Sequence, residues 1–562
     1  MSDKEAGRGT RSSWVGIVVG GLVKLIAFAT MLAIPMLGVW SASSLAAYSN
    51  GPIWLAIVCG ALAFPVLPLA WDLWRERARA RREKESKQPP SPRILTFVDR
   101  MILRTIVLDG LFLALLFGLW PQAIFTALST RGDWFLDGVE GADGARRAVL
   151  SIADGMEWLY EAAHDNPYAS EEDSEGVDED VVAGTVTTDS DAGVPSSTQA
   201  MDADAGARTE ADAGTGTRTE ADAGTGTGTG AGTGTGADTD TGMGAGAGTG
   251  TRTEADAGTG TGTRALPPPS IPYWPMEEVV HPAVASMGAS DERTIASVAT
   301  YIRAHTSTTL ERAKAVHDYV ATRVRYDVPA LTGHRPPQDA QTVFETHDAV
   351  CEGYARLFHA LADEVGLESR YLVGDARDAG DPADGEPHAW NAVEIDGAWF
   401  LVDPTWDAGT VEGTTFTPRY STLYFLTPPD VFVADHFPDN RGWQLRPHPI
   451  SRGEFHRAPI LSPRFRAQGF ELRAPDRSQV EVERAFEATV LRPTGLFLLA
   501  SYAPHGGDED PRARSRCDLT GEREVSVRCE LPGPGTWDVM LFSNTEEYGT
   551  YGFVGSFQAV RR

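Results

Sequence analysis

Between Asp202 and Arg264 the one apolar side chain larger than alanine is Met243. A backbone with so little to bury cannot offset the roughly 1–2 kcal/mol per residue that ordering it costs. The stretch is made of Thr-Gly, Ala-Gly and Asp-Ala runs, and the unit RTEADAGTGT starts at Arg208, again at Arg218, and returns at Arg252. With the acidic run before it, we expect a disordered tether over residues 166–265. A flexible chain of about a hundred residues has a root-mean-square span of about 50–60 Å. Two readings stay open: a spacer that sets reach, and a tolerated repeat expansion. Either way the chain divides into a part before the tether and a part after it.

The part before it is apolar. Val15 to Trp40, Ile53 to Trp71 and Ile106 to Leu128 are each long enough to cross a hydrocarbon core of about 30 Å as helices. WRERARARREKESKQPPSPR separates the second from the third, whereas SASSLAAYSNGP, between the first two, carries no charge. Lys4, Arg8 and Arg11 precede the first span. The positive-inside rule then puts the amino terminus and the basic loop in the cytoplasm and everything after the third span outside. Cleavage of the first span as a signal peptide is the competing reading and leads to the same orientation. Lys24 and Asp109 are ionisable residues within spans, read as paired or snorkelling rather than as a transport path. We expect a three-helix membrane anchor over 1–128 and a short helical segment over 129–165.

The part after the tether carries the chemistry. Cys351 opens CEGYARLFHALADEVG, whose Tyr354, Leu357, Phe358, Leu361 and Val365 recur at helical spacing. The sulfur therefore stands in a helix's first turn, where unpaired N–H groups and the helix dipole favour thiolate. Further on, HAWNAVEIDGAWFLVDPTW reads as two strands around Asp396-Gly397, a dipeptide suited to a two-residue hairpin turn. If Ile395 pairs with Ala398, Trp390 lies opposite Asp403, and His388 and Asp403 become diagonal neighbours on one face. An imidazole oriented by a carboxylate and set beside a thiol is the arrangement of nucleophilic thiol catalysis. Asn391 points to the opposite face and receives no catalytic role. Asp291 to His305 and Thr309 to Val324 should supply helices that pack beside the Cys351 helix.

RPPQDAQTVFETHDAVCEGYARLF, HAWNAVEIDGAWFLVDPTW and YFLTPPDVFVADHFPDNRGWQL resemble the transglutaminase-like superfamily of papain-type folds, in the branch of the kyphoscoliosis peptidase and its bacterial relatives. The resemblance runs from about Leu310 to Trp443. It implies an α+β papain-like domain with Cys351 as nucleophile, His388 as general base and acid, and Asp403 as orienting carboxylate. One departure is Asp407 in DPTWDAG, where that branch implies a small residue.

The Cys351 N–H is the default oxyanion donor, with Gln338, or less favoured Gln341, as a second. Trp390 and Trp406 are candidate cleft walls. LPPPSIPYWP, from Leu266, marks re-entry into order, with Tyr273 and Trp274 docking, and the transglutaminase-like domain is expected over 266–456. From 457 to 562, runs such as FEATVL, LFLLASY and TWDVMLFS between Gly, Pro and Asp clusters suit a β-sandwich. It resembles the immunoglobulin-like domain of the same branch. Of the four cysteines, Cys59 falls in a span, Cys351 stands alone, and Cys517 and Cys529 are candidates for a disulfide. No zinc-ligand spacing is present, so neither metal nor cofactor is expected. A net charge of -29 argues against nucleic acid as partner. The expected activity is that of a membrane-anchored extracytoplasmic cysteine peptidase or amidohydrolase acting on protein or peptide. Cross-linking transglutamination and a non-catalytic adhesion module are the alternatives; oligomeric state is not readable.

Overall fold

The computed structural model describes residues 11–86, 95–139, 141–169, 274–378, 385–507 and 513–562, which all fall in one compact unit. The tether expected over 166–265 lies outside these residues except for its first four, and those are folded, with Asn166 and Tyr168 buried. Tyr273 also lies outside, while the Trp274 indole donates to the Leu423 carbonyl at 3.3 Å.

Three helices, Gly21–Tyr48, Ile53–Arg82 and Phe97–Leu119, are long and apolar enough to cross a membrane. The third differs from the expected Ile106 to Leu128. Thr96 and Asp99 form a reciprocal capping box that starts it earlier. At its other end the chain bends at Trp120, and Pro121, with no N–H to continue a helix, opens a separate one, Pro121–Arg131. There Ile124, Phe125, Ala127 and Leu128 are fully buried, and Phe125 packs edge-on against His456 at 5.7 Å. The last apolar residues of the expected span thus serve the folded head. Lys24 reaches Asp99 at 3.9 Å rather than Asp109. Asp109 is buried, and its Oδ2 has no partner among the described residues.

The stretch 129–165 is tied into the head. Its helices Asp143–Asp154 and Trp158–Glu161 are held by Asp154 to Arg457 at 2.8 Å, and Asp133 pairs with Arg477 at 3.2 Å. Arg131 meets Glu481 at 2.7 Å. At the turn after the first long helix, the Tyr48 carbonyl accepts from Gln479 at 3.3 Å and Asn50 bonds Thr536 at 3.2 Å. Hence the Tyr48–Asn50 turn and the end of the third helix both face the head, while the basic segment after Trp74 lies at the opposite helix ends.

Helices Ile295–His305, Thr309–Arg323 and Cys351–Val365 pack on a five-stranded antiparallel sheet. Its order is Phe425–Thr427, Ala398–Val402, Glu386–Ile395, Ser369–Ala376, His436–Pro438. A capping box between Thr294 and Ser297 starts the first helix later than expected. The periodic residues Tyr354, Leu357, Phe358, Leu361 and Val365 are at most 1% exposed. Each contributes about 1.5–3 kcal/mol by burial, which fixes how the Cys351 helix sits on the sheet. The C-terminal region is β-rich, with a six-stranded and a four-stranded sheet. Phe486, Val490, Val525 and Val527 of one share a core with Val539, Leu541, Phe557 and Ala559 of the other. A disulfide joins Cys517 and Cys529 in this region.

Candidate functional site

Cys351 is the first residue of its helix, preceded by Val350 in extended conformation. At this position its N–H has no partner within the helix. The Val350 N–H is held by Gln338 Oε1 at 2.9 Å, and Gln338 Nε2 donates to the Pro336 carbonyl at 3.0 Å. The Gln338 amide is thus anchored at both ends to backbone and sets the position of the residue before Cys351. Gly353 is needed for this approach, because a Cβ there would lie 2.7 Å from Gln338 Oε1 and 2.6 Å from the Ala349 Cβ. Gln341 is exposed and bonds Glu345 at 2.7 Å, which takes it away from the site.

The hairpin has the register read from Asp396-Gly397: Ile395 faces Ala398, and the ladder continues to Asn391 opposite Val402. It then opens. The Asp403 N–H turns to the Tyr424 carbonyl at 2.9 Å, and Asp403 Oδ1 accepts from the Thr405 and Trp406 N–H groups at 2.8 and 3.4 Å. With Oδ1 so occupied, Oδ2 is left for side chains. It meets His388 Nε2 at 2.8 Å and His436 Nε2 at 3.2 Å. The Cys351 sulfur lies close enough to His388 to act on its charge. Cys351, His388 and Asp403, at most 7% exposed, therefore converge.

Burial alone would drive the His388 imidazole toward its neutral form, but the Asp403 carboxylate and then the Cys351 sulfur outweigh it and push the pKa up to about 10. Burial would raise Asp403, yet His388 and then His436 hold its carboxyl well below the usual carboxylate range. The dyad is thus an ion pair at neutral pH.

Several placements differ from the sequence reading. Trp390 is fully buried with its ring 6.0 Å from His388, so it packs beneath the imidazole instead of walling an open cleft. Trp406 is half-buried and lies 5.5 Å from His388 and 4.5 Å from His436. Asn391 binds the Ala355 carbonyl at 3.0 Å, pinning the sheet to the Cys351 helix.

His436 and its neighbours were missed. His436 is fully buried between Asp403 and Asp435, with Nδ1 2.7 Å from Asp435 Oδ1. The Tyr424 hydroxyl donates to Asp435 Oδ2 at 2.7 Å, and burial raises the Asp435 pKa despite these partners. His436 thus links two buried carboxyl groups, with Nε2 against Asp403 and Nδ1 against Asp435. Gly374 makes room for it: a Cβ there would lie 2.1 Å from the Phe437 carbonyl oxygen and 2.7 Å from the Trp390 ring. The available signal was position, since ADHFPDN falls inside a block that carries the family resemblance.

Two groups of histidine and aspartate side chains gather among the described residues. His388, Asp403 and His436, and separately His164, Asp375 and Asp439, place three ligand-type atoms within 4.8 Å of one another. Hydrogen bonds already use those atoms in the first group, and Arg452 pairs with Asp375 and Asp439 in the second.

Residues 296–404 match the family model described as the transglutaminase-like superfamily. The mouse protein named kyphoscoliosis peptidase is 34% identical over 258 residues, covering 43% of this chain and 37% of its own length. Its human counterpart is 34% identical over 264 residues, covering 44% and 38%. The Lim and transglutaminase domain protein ltd-1 of Caenorhabditis elegans is 32% identical over 230 residues, covering 36% and 32%. The chain thus spans less than two-fifths of the length of these relatives. A helix that opens on cysteine, packed on strands that bring histidine to aspartate, is the part that matches, and residues 296–404 form a transglutaminase-like domain.

Proposed function

We propose that this chain is a membrane-anchored thiol hydrolase of the peptidase or amidohydrolase type, with Cys351, His388 and Asp403 as its triad. The observation that carries the reading is the His388 ring bonded to the Asp403 carboxylate, with the Cys351 sulfur near enough to act on its charge. Because Nε2 is taken by Asp403, Nδ1 is the nitrogen left for the sulfur.

The Cys351 thiolate attacks an amide carbonyl carbon, and the Cys351 N–H at the helix start stabilises the oxyanion. His388 gives its proton to the leaving amine as the C–N bond breaks, leaving a thioester. Water, deprotonated by His388, then attacks the thioester carbon, and the thiolate departs with release of acid. Asp403 orients the imidazole and balances its charge, and His436, backed by Asp435 and Tyr424, acts as a positioning residue for Asp403.

Peptide or protein amides outside the cytoplasm are the substrate class. The head lies at the helix ends remote from the basic segment, which by the positive-inside rule is the extracytoplasmic side. The C-terminal region, an immunoglobulin-like sandwich on this reading, binds or positions the substrate.

A fluorophosphonate-insensitive, thiol-directed acyl probe tests the chemistry. It should acylate Cys351 in the native chain, and His388→Ala should abolish that signal; equal acylation of both proteins defeats the proposal. Free acid as the product supports hydrolysis, whereas transfer onto an added primary amine shows cross-linking instead. Protease added outside intact cells should digest the head, and a protected head overturns the orientation.

A further inference from the structure

The nucleophile is covered by a piece of chain from the far side of the repeats. Cys351 is 1% exposed and Tyr168 6% exposed, and the two share a buried cluster with Val350, Ala355, Tyr371 and Ala389. The Tyr168 side chain is thus packed beside the Cys351 sulfur, close enough for the two groups to act on each other electrostatically. Burial and then the neighbouring Cys351 sulfur raise the phenol pKa far above its ordinary value, so the hydroxyl keeps its proton.

This contact is built on fixed backbone. The Tyr371 hydroxyl donates to the Tyr168 carbonyl at 2.9 Å. Asn166 Nδ2 donates to the Gly374 carbonyl at 3.0 Å, while its Oδ1 accepts the Tyr168 N–H at 3.0 Å. The Arg335 guanidinium lies 4.9 Å from the centre of the Tyr168 ring. His164 contacts Asp439 at 3.1 Å. Gly374 is the residue opposite His388 in the sheet, so the segment is fastened directly beside the dyad.

A reacting acyl carbon must come within about 3–3.5 Å of the sulfur. The Tyr168 side chain, packed into the same buried cluster as the sulfur, takes up that space. We infer that His164 to Ala169 is an autoinhibitory strap, with Tyr168 its plug, and that Cys351 turns over only in molecules where the strap has left. The strap continues from Trp158–Glu161 and Asp143–Asp154, which join it to the third apolar helix. Events at the anchor, such as a partner binding there or a cut after the strap, would thereby reach the thiol. Observed reactivity equals the intrinsic rate multiplied by the open fraction.

The inference rests on Cys351 being the reactive thiol, and its test separates the two. Iodoacetamide alkylation of the full-length chain in detergent is followed on the Cys351 peptide by mass spectrometry, with Cys59 as internal reference. Tyr168→Ala should accelerate Cys351 alkylation by at least about tenfold. Asn166→Ala, which keeps the phenol but frees the strap backbone, should accelerate it to a smaller extent. Native rates in both variants, with unchanged circular dichroism, overturn the strap. So does a Tyr168→Phe variant that loses ester hydrolysis at an unchanged alkylation rate, because the hydroxyl would then be an oxyanion donor. The same variants in a His388→Ala background tell the failures apart. A strap without an activated thiol gives acceleration in both backgrounds and no slowing by His388→Ala. An activated thiol without a strap gives the slowing and no acceleration.

Discussion

Asp403 and Asp407 stand four residues apart on one turn, both fully buried, and each heads its own chain of partners of the same kinds. Asp403 binds His436, which binds Asp435, which accepts from the Tyr424 hydroxyl. Asp407 binds His317 at 3.1 Å, which binds Asp318 at 2.9 Å, which accepts from the Tyr420 hydroxyl at 2.6 Å. The difference lies in what hangs on the end. The first network continues through His388 to a sulfur, whereas the second ends in Lys314, which binds Asp318, Tyr420 and the Val279 carbonyl. A buried carboxylate–imidazole pair is therefore no mark of catalysis by itself; what sets the first apart is the cysteine at a helix start beside it. Asp407, which looks out of place beside the family pattern, is explained by His317: together they clamp the Thr309–Arg323 helix to the turn that carries Asp403.

Exchanging the same charge at both positions should produce opposite defects. Asp403→Asn should reduce hydrolysis on the order of 10³–10⁴-fold, because the imidazole loses its orienting partner and the counter-charge of its protonated form. Asp407→Asn should leave turnover per folded molecule within about a factor of a few, since Asp407 bonds His317 rather than His388. Comparable losses of turnover in the two variants would break the contrast.

Stability should reverse the order. Asp407→Ala leaves His317 in the core with one carboxylate in place of two, and breaking a buried pair in this way costs about 3–5 kcal/mol. Chemical denaturation of the detergent-solubilised chain measures it, and a loss no greater than that of Asp403→Asn would show that the second network clamps nothing.

Alkaline pH probes both histidines. His388, pushed up to about 10 from an ordinary 6.5, contributes stability that is fully present below pH 6.5 and is lost as pH rises through 10. Burial pulls His317 down, but its hydrogen bonds to the Asp318 and Asp407 carboxylates leave it raised too, so its contribution also fades as pH climbs. Subtracting the profile of His388→Ala from that of the native chain should isolate a loss between pH 6.5 and 10. A flat difference would mean that the imidazole is not held charged.

His436 offers a finer cut within the first network. His436→Gln keeps a donor for Asp403 but displaces the carboxylate, and a misplacement of about 1 Å costs on the order of 10²-fold in kcat. KM should stay near its native value, since His436 touches no substrate; a rise in KM with kcat intact would make it a binding residue.

How much of this could be read in the residues varies with the range of the contact. The Cys351 helix is legible because five apolar side chains repeat at its period, and the His388–Asp403 approach because a two-residue turn fixes every pairing up to Asn391 and Val402. Asp403 itself pairs with Tyr424, a partner that no local pattern names. His436 stands on a three-residue strand, His436–Pro438, too short for any alternation to show, and it reaches the site by pairing with Ser369–Ala376. Tyr168 comes from before the repeats, where acidic composition hides a folded segment. Pro121 was readable as a helix start, but the apolar run around it suggested one continuous span.

The smallest effect concerns Gln338, and it decides between two roles. With Oε1 holding the Val350 N–H and Nε2 on the Pro336 carbonyl, this side chain shapes the backbone before the nucleophile. Gln338→Ala would strand a buried N–H, at a cost of about 1–3 kcal/mol. Cys351 would then sit less firmly, so alkylation and acyl transfer should slow together, each by less than about tenfold. An oxyanion donor behaves otherwise: its loss lowers acyl transfer by about 10²–10³-fold and spares alkylation, in which no oxyanion forms. Parallel slowing of the two reactions therefore assigns Gln338 to the scaffold, and a split between them assigns it to the transition state.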